Sequence, residues 1–365
     1  MTTAHERTPT GRLRARGLGI DFQGTPGPLN AITDVAGVSV GYTTLISGAD
    51  VRTGVTAILP RPIQGQPAPV WAGGHSLNGN GELTGLIWMD EAGRCDGPIT
   101  ITNSNSLGTA RDASIRWLRD RLDNRDPWVL PVAGETYDGY LNDINGFHVK
   151  EAHVLSALDA AAGGSIDEGS VGGGTGMICY GWKGGSGTAS RRLRFDDSDV
   201  TIGAFVQANF GRPQQLTIAG VPVGRILSED PGPPERGSII AVIATDAPLL
   251  PHQLRRIARR VGLGMGRSGA VSGHGSGDIF MAFSTANADA HQEAVRLSSM
   301  RFIPNEHLDP LFTAVVEATD EAIVNALIAN EDMTGRDGHH VAALPHDRVV
   351  EILRQHGALA DALAK

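Results

Sequence analysis

Short apolar runs bounded by turn residues alternate along this chain with longer segments whose apolar positions recur every three or four residues. The runs VSVGYTTL (38–45), TAILP (56–60) and PITITNS (98–104) are rich in Val, Ile and Thr and predict strands. Residues 106–124 predict a helix, with Ile115, Leu118 and Leu122 at helical spacing. Residues 148–162 predict a second, with Ala152, Leu155, Leu158 and Ala161 on one face. MICYGW (177–182) and IGAFVQANF (202–210) are strand-like. SIIAVIATDA (238–247) and IFMAFSTA (279–286) are apolar almost without interruption, the pattern of strands buried on both faces. Helices are predicted over 248–263 and 310–329. Buried strands separated by helices imply layered α and β structure. SEDPGPPERG (228–237) has the composition of a linker, but strong strands on either side argue against a domain boundary there.

Composition adds limits. The chain has 365 residues, 41% of them apolar and 19% charged, as expected of a globular protein. Its formal net charge of −9 disfavours a nucleic-acid partner, which requires a basic face. Glycine, at 48 residues, is abundant without a collagen-like period and indicates a loop-rich enzyme. Cys95 and Cys179 make no disulfide framework and are expected to be reduced, part-buried thiols. Residues 1–17 are polar and basic and are expected to form a flexible arm ahead of a single domain, 18–365. They lack the apolar core of a secretory signal, and no stretch reaches the roughly 20 apolar residues of a membrane span. The expectation is a cytoplasmic protein with no membrane partner.

The most informative segment is Gly273-His274-Gly275-Ser276-Gly277-Asp278, which runs directly into an apolar strand. Gly275 permits backbone torsions closed to other residues, as the Gly275–Ser276 peptide would need if the Ser276 hydroxyl is to attack the carbonyl before it. Cleavage there would leave an α-amine on Ser276. The reference pKa of such an amine is about 7.7–8.0, so one residue would carry both nucleophile and general base. The local residues leave a second reading open, a plain Gly-Ser-Gly turn entering a strand.

The segment GHGSGDIFMAFSTAN (273–287) resembles the nucleophile segment of the DmpA/BapA family, the L-aminopeptidase D-Ala-esterase/amidases and β-peptidyl aminopeptidases. The likeness spans nearly the whole chain. AITDVAGVSVGYTT (31–44), NGNGELTG (78–85), TNSNSLGTARDA (102–113), GETYDGYLND (134–143), VQANFGR (206–212), LFTAVVEATDEAIVNAL (311–327) and TGRDGHHVAALPHDR (334–348) follow in the family's order. The resemblance implies an α+β fold, an αββα four-layer sandwich of N-terminal-nucleophile hydrolase type. It implies self-cleavage before Ser276 into chains 1–275 and 276–365, and a homo-oligomer, a tetramer of such pairs. It assigns Asn209 as the oxyanion-hole donor and Glu135 as the acid that pairs with the substrate's ammonium. Tyr137 becomes a pocket-lining aromatic; some relatives that prefer β-amino acids carry Trp there, so Tyr137 leans toward the D-Ala-amidase branch. A hydroxyl and a carboxylate near the nucleophile align best with Thr319 and Glu321, with Asn305 and Glu306 as a competing location. The implied substrate is a small peptide or aminoacyl amide, with no cofactor and no metal.

Other motifs are set aside. Gly264-Met265-Gly266-Arg267-Ser268-Gly269 fits G-x-G-x-x-G but follows a helix, not a strand, and so lacks the context of dinucleotide binding. Ser276 does not lie in G-x-S-x-G. His339 and His340 are adjacent but lack ligand spacing. His274 is either a turn residue or an aid to the acyl shift. The competing functional class is an uncleaved, non-catalytic binding or assembly protein that keeps the same fold.

Overall fold

The computed structural model describes residues 3–124, 126–232, 235, 237–291 and 296–359. In chain order its elements are strands β1 (Ser39–Ser47), β2 (Val51–Leu59) and β3 (Val70–Gly79), helix α1 (Leu86–Ala92), β4 (Arg94–Cys95), β5 (Ile99–Asn103), α2 (Leu107–Arg119), β6 (Val132–Thr136) and α3 (Glu151–Asp159). There follow the short β7 (Ile178–Cys179) and β8 (Trp182–Lys183), the long β9 (Gly185–Phe195) and β10 (Ser198–Asn209), and α4 (Val223–Leu227). The chain continues through β11 (Ser238–Thr245), α5 (Pro251–Arg267), β12 (Gly277–Ser284), α6 (Asp309–Ile328), β13 (Met333–Thr334), β14 (His340–Val341) and α7 (His346–Gln355).

Two sheets lie face to face. One has four strands in the order β1-β2-β5-β6, the other six in the order β4-β3-β12-β11-β10-β9. Side chains on a strand alternate between faces, so the apolar β11 feeds two cores. Ile239, Ala241 and Ile243 join Ile257, Val261, Val315 and Ala318 of α5 and α6. Ile240, Val242 and Ala244 join Ile58, Ile99, Ile101 and Val132 of the four-stranded sheet. That sheet's other face, through Val55, Ala57 and Ala133, packs on Trp117, Leu118, Val154 and Leu158 of α2 and α3. The layers are therefore helix, sheet, sheet, helix, as the αββα expectation has it.

Glycine permits the closest helix-to-sheet contacts. A Cβ on Gly187 of β9 would lie 2.0 Å from the Ala322 carbonyl of α6, and one on Gly41 of β1 would lie 2.1 Å from that of Ala157 in α3. In the G-x-G segment, a Cβ on Gly264 would lie 2.6 Å from Cβ of Thr319, so this glycine serves a helix crossing.

Two expectations need correction. On α3 the buried residues are Val154, Ala157 and Leu158, while Ala152 is exposed. The basic arm is docked over its described part, residues 3–17, and is not free. Arg14 is buried, with Nε 2.6 Å from Glu168 Oε2, and its remaining N–H groups reach the carbonyls of Ala4, Leu29, Asn30 and Thr188. The Ala15 amide donates to Asn325 Oδ1 at 2.9 Å. Arg16 pairs with Glu321 at 2.7 Å. Cys95 and Cys179 are both free and buried, and burial pushes the Cys95 thiol up to about 12. Among the described residues no helix is long and apolar enough to cross a membrane.

Removing Arg14 strands the fully buried Glu168 carboxylate. Breaking a buried pair from one side costs about 3–5 kcal/mol. Arg14→Ala is expected to lower unfolding free energy by that amount in a urea titration, and deletion of residues 1–17 to lower it at least as much. Two variants within ~0.5 kcal/mol of the parent, the scatter of neutral surface changes, would show the arm to be dispensable.

Candidate active site

Ser276 lies where the chain leaves a loop and enters β12. Gly277 is paired with Ser238 of β11 on one side and with Gly79 of β3 on the other. The loop turns through Ser272, which has a left-handed φ of 53°. It is held from two sides. Asn78 Nδ2 donates to the Gly273 carbonyl at 2.6 Å, and Asn80 Nδ2 to the Gly275 carbonyl at 2.8 Å. Glu235, in the segment read as a linker, accepts from the amides of Gly273 at 3.1 Å and Gly211 at 2.9 Å. The Ser276 amide donates to the Gly273 carbonyl at 2.8 Å.

Ser276 is fully buried. Its hydroxyl donates to Asp278 Oδ1 at 2.6 Å, and Ser272 Oγ donates to Asp278 Oδ2. The two residues share a face because they are two apart in extended chain. Burial raises the Asp278 pKa above the ordinary aspartate range. The hydrogen bonds from Ser272 and Ser276 oppose that rise, and the charge of Glu235 adds to it.

Glu135 ends the four-stranded sheet on β6, paired with Thr102. Its carboxylate accepts from the Glu82 amide at 2.9 Å and from Ser104 Oγ. Gly81 lies between it and the nucleophile strand: a Cβ on Gly81 would be 3.1 Å from Glu135 Oε1 and 3.3 Å from Cα of Gly277. Burial raises the Glu135 pKa, and the Ser104 and Glu82 hydrogen bonds bring it part of the way back. Asn209 is the last residue of β10, opposite Ser238. Its Oδ1 accepts from the Ile178 amide at 2.8 Å and its Nδ2 donates to the Tyr137 carbonyl at 3.0 Å, which leaves one Nδ2 proton uncommitted. Tyr137 itself is half exposed. Ser276, Asn209, Glu135 and Tyr137 therefore converge at one end of the two facing sheets. The site offers a hydroxyl nucleophile, a neutral amide donor and a buried carboxylate.

Thr319 and Glu321 do not join this cluster. Glu321 pairs with Arg16 and Arg191, at 2.7 and 2.8 Å, and accepts from Asn30 at 2.6 Å. Burial alone would raise its pKa, but these partners bring it below the usual range. Arg191 pairs across the sheet with Ile202, Ile202 with Thr245, and Thr245 with Ser284 at the far end of β12. At roughly 3.3 Å per residue, that end is about 26 Å from Ser276. Thr319 is buried against Gly264 of α5. The competing Asn305 accepts from Gln253 and Arg256 in the first turns of α5, and the adjacent Glu306 is exposed.

The residues that do surround Ser276 and Glu135, namely Asn78, Asn80, Ser104, Glu235 and Asp278, were not singled out from the sequence. The Asn-Gly-Asn and Ser-Gly-Asp spacings, each with two polar groups two residues apart, are the signals that point to three of them, Asn78, Asn80 and Asp278. His274 is exposed. His339 stacks on Tyr140 with centroids 4.3 Å apart, and His340 lies 3.5 Å from Asp332. Among the described residues no group of three or more His, Cys, Asp or Glu is placed to hold a metal ion.

Comparison with known proteins shows the family. The model of peptidase family S58 matches residues 30–341. The chain is 49% identical to the β-peptidyl aminopeptidase BapA of Sphingosinicella microcystinivorans over 96% of its length and 94% of that protein's. It is 43% identical to the BapA of Sphingosinicella xenopeptidilytica, over 93% and 91%. Among solved structures it superposes on the L-aminopeptidase D-Ala-esterase/amidase of Ochrobactrum anthropi, a variant of the Ntn hydrolase fold. That match has a TM-score of 0.90 and 49% identity, and covers 95% of this chain and 99% of that one. For a Burkholderia β-aminopeptidase the TM-score is 0.88 and the identity 48%, over 94% and 99%. With the family model spanning most of its length and relatives 43–49% identical over more than nine-tenths of it, this chain belongs to peptidase family S58.

Proposed function

We propose that this protein is a self-processing serine aminopeptidase and amidase. It releases N-terminal amino acids, whether L-, D-Ala- or β-aminoacyl, from peptides, amides or esters through an acyl-enzyme on Ser276. The observation that carries the reading is the convergence of Ser276, Asn209 and Glu135 at one end of the two facing sheets. The aminopeptidase names of the near relatives support it.

Each step follows from a residue's chemistry. Before maturation Ser276 is buried beneath the 272–275 loop, and its nitrogen is a peptide amide with no basicity. Cleavage of the Gly275–Ser276 bond frees both the approach and the amine. The amine, with a reference pKa of about 7.7–8.0, takes the hydroxyl proton as Oγ attacks the substrate carbonyl. It then returns the proton to the leaving amine. The free Nδ2 proton of Asn209 stabilises the oxyanion. Glu135 receives the substrate's ammonium. A charge-assisted hydrogen bond of this kind is worth about 1.5–3 kcal/mol, and an N-acetylated substrate would leave the carboxylate stranded. No metal or nucleotide enters this scheme. The mature pairs are proposed to associate as a tetramer in the cytoplasm.

Three outcomes test the proposal. On a denaturing gel the purified protein should run as chains 1–275 and 276–365, with the smaller beginning Ser-Gly-Asp-Ile-Phe, and Ser276→Ala should stay whole. An intact wild-type chain would favour the non-catalytic binding protein. Asn209→Ala should lower kcat by about 10²–10³ with little change in KM, since the donor acts on charge developed in the transition state; normal turnover in the mature variant contradicts the role. The third concerns pH. Only ionised Glu135 binds ammonium, and burial raises its pKa. KM for alanine p-nitroanilide should therefore climb on acidification at a pH above the ordinary glutamate range. Glu135→Gln should raise KM throughout and remove that dependence. A wild-type enzyme that cleaves the N-acetyl anilide equally well is not an aminopeptidase.

A further inference from the structure

We infer that self-cleavage and peptidase turnover use different auxiliary residues, with Asp278 as the base and Asn80 as the oxyanion donor for scission of the Gly275–Ser276 bond. The inference rests on the self-processing reading above and names the groups that carry it out. In the intact chain the α-amine that serves later as base does not exist, because Ser276 N is an amide donating to Gly273 O. Another group must take the hydroxyl proton. The one in contact is Asp278 Oδ1, 2.6 Å from Ser276 Oγ. The carbonyl under attack is that of Gly275, and it already accepts a hydrogen bond from Asn80 Nδ2 at 2.8 Å. Asn80, not Asn209, makes the hydrogen bond to that carbonyl; Asn209 Nδ2 donates to the Tyr137 carbonyl and keeps its second proton for the later substrate.

The surroundings fix both contacts. Asn78, near the end of β3, and Asn80, just past it, hold the carbonyls of Gly273 and Gly275 in the loop ahead of Ser276. Ser272 Oγ occupies the other oxygen of Asp278 and leaves Oδ1 to Ser276. The charged group facing this centre is Glu235, which is held by the amides of Gly211 and Gly273. Burial and Glu235 disfavour the ionised aspartate, which makes Asp278 a stronger base once ionised than an exposed carboxylate.

Asp278 takes the proton of Ser276 Oγ while Oγ bonds to the Gly275 carbonyl carbon, whose oxygen becomes an oxyanion held by Asn80. Asp278 then gives the proton to Ser276 N as the carbon–nitrogen bond breaks, leaving an ester between Gly275 and Oγ and a free α-amine. Water hydrolyses the ester to the Gly275 carboxylate and the Ser276 hydroxyl. Asp278 ends as it began.

The test measures the rate at which full-length precursor converts to two chains, by gel and intact mass across pH. The wild-type rate should rise with pH through the raised Asp278 pKa and then level. Asp278→Asn should slow conversion by about a hundredfold or more, the usual contribution of a general base, and lose that rise. Asn80→Ala, a change at an exposed side chain, should slow it about tenfold to a hundredfold without loss of fold. A Ser276→Cys, Asp278→Asn double variant should regain cleavage near pH 8.5, where a thiol ionises unaided; a purely structural role for Asp278 would not be rescued in this way. His274→Ala should convert at the wild-type rate. Conversion of Asp278→Asn and Asn80→Ala at the wild-type rate overturns the inference while leaving self-processing intact, as does a folded double variant that stays whole or a block in His274→Ala. A wild-type chain that never cleaves defeats the parent reading instead.

Discussion

The pairing of β3 with β12 is the constraint on which the site depends. Its register sets Gly79 against Gly277 and Asn78 against Asp278, then slips by one residue before Ile279. That slip is a bulge, which redirects side chains locally. It delivers Asn78 and Asn80 to the carbonyls of the loop ahead of Ser276. The same strand lies under α5, where a Cβ on Gly73 would come within 2.4 Å of the Arg255 amide. The helix that precedes the nucleophile loop and the strand that holds it are thus locked together, and the loop has little freedom in where it places Ser276.

Much of this architecture is legible in the sequence because burial on both faces leaves an unmistakable pattern. The run 238–247 became β11 at the centre of the six-stranded sheet, and 279–286 became β12 beside it. β3 is illegible for a physical reason. Its residues Trp-Ala-Gly-Gly-His-Ser-Leu-Asn-Gly must admit a helix on one side and a loop on the other, so glycine and polar residues replace the alternating apolar ones. β9 is hidden likewise. Gly187 has to pass under α6, and Arg191 is buried by virtue of Glu321, a partner 130 positions away (321 − 191) that no local pattern discloses.

The same buried ion cluster accounts for Glu321, which the family resemblance sets near the nucleophile together with Thr319. An unpaired carboxylate in a long apolar helix would be costly. Here Arg16, Arg191 and Asn30 satisfy it, and what it secures is the N-terminal segment. Residues 319 and 321 point in different directions on α6, one toward α5 and the other toward β9. The basic residues of the arm look solvated in sequence for a complementary reason: their acids, Glu168 and Glu321, lie more than 150 residues downstream.

Placing two neutral amide donors and three buried or half-buried carboxylates around one serine has an electrostatic consequence. Glu135, Glu235 and Asp278 all crowd the cleft end, and burial pushes Glu135 and Asp278 toward protonation. A cationic ligand relieves that crowding and an anionic one aggravates it, which supports the proposed preference for a substrate bearing an ammonium. The overall charge of −9 would add little to this preference, because salt screens exposed charges beyond roughly 8 Å. In the proposed mechanism, selectivity for a free amino terminus is local, set where Glu135, Gly81 and Gly277 meet. The proposed self-processing would add a second cation at the same place. The α-amine freed on Ser276 would form two residues from Asp278, so the carboxylate that faces a hydroxyl in the intact chain would face an ammonium equilibrium afterwards. An adjacent carboxylate favours the protonated amine, which would set a lower pH bound on turnover distinct from the one that Asp278 sets on self-cleavage.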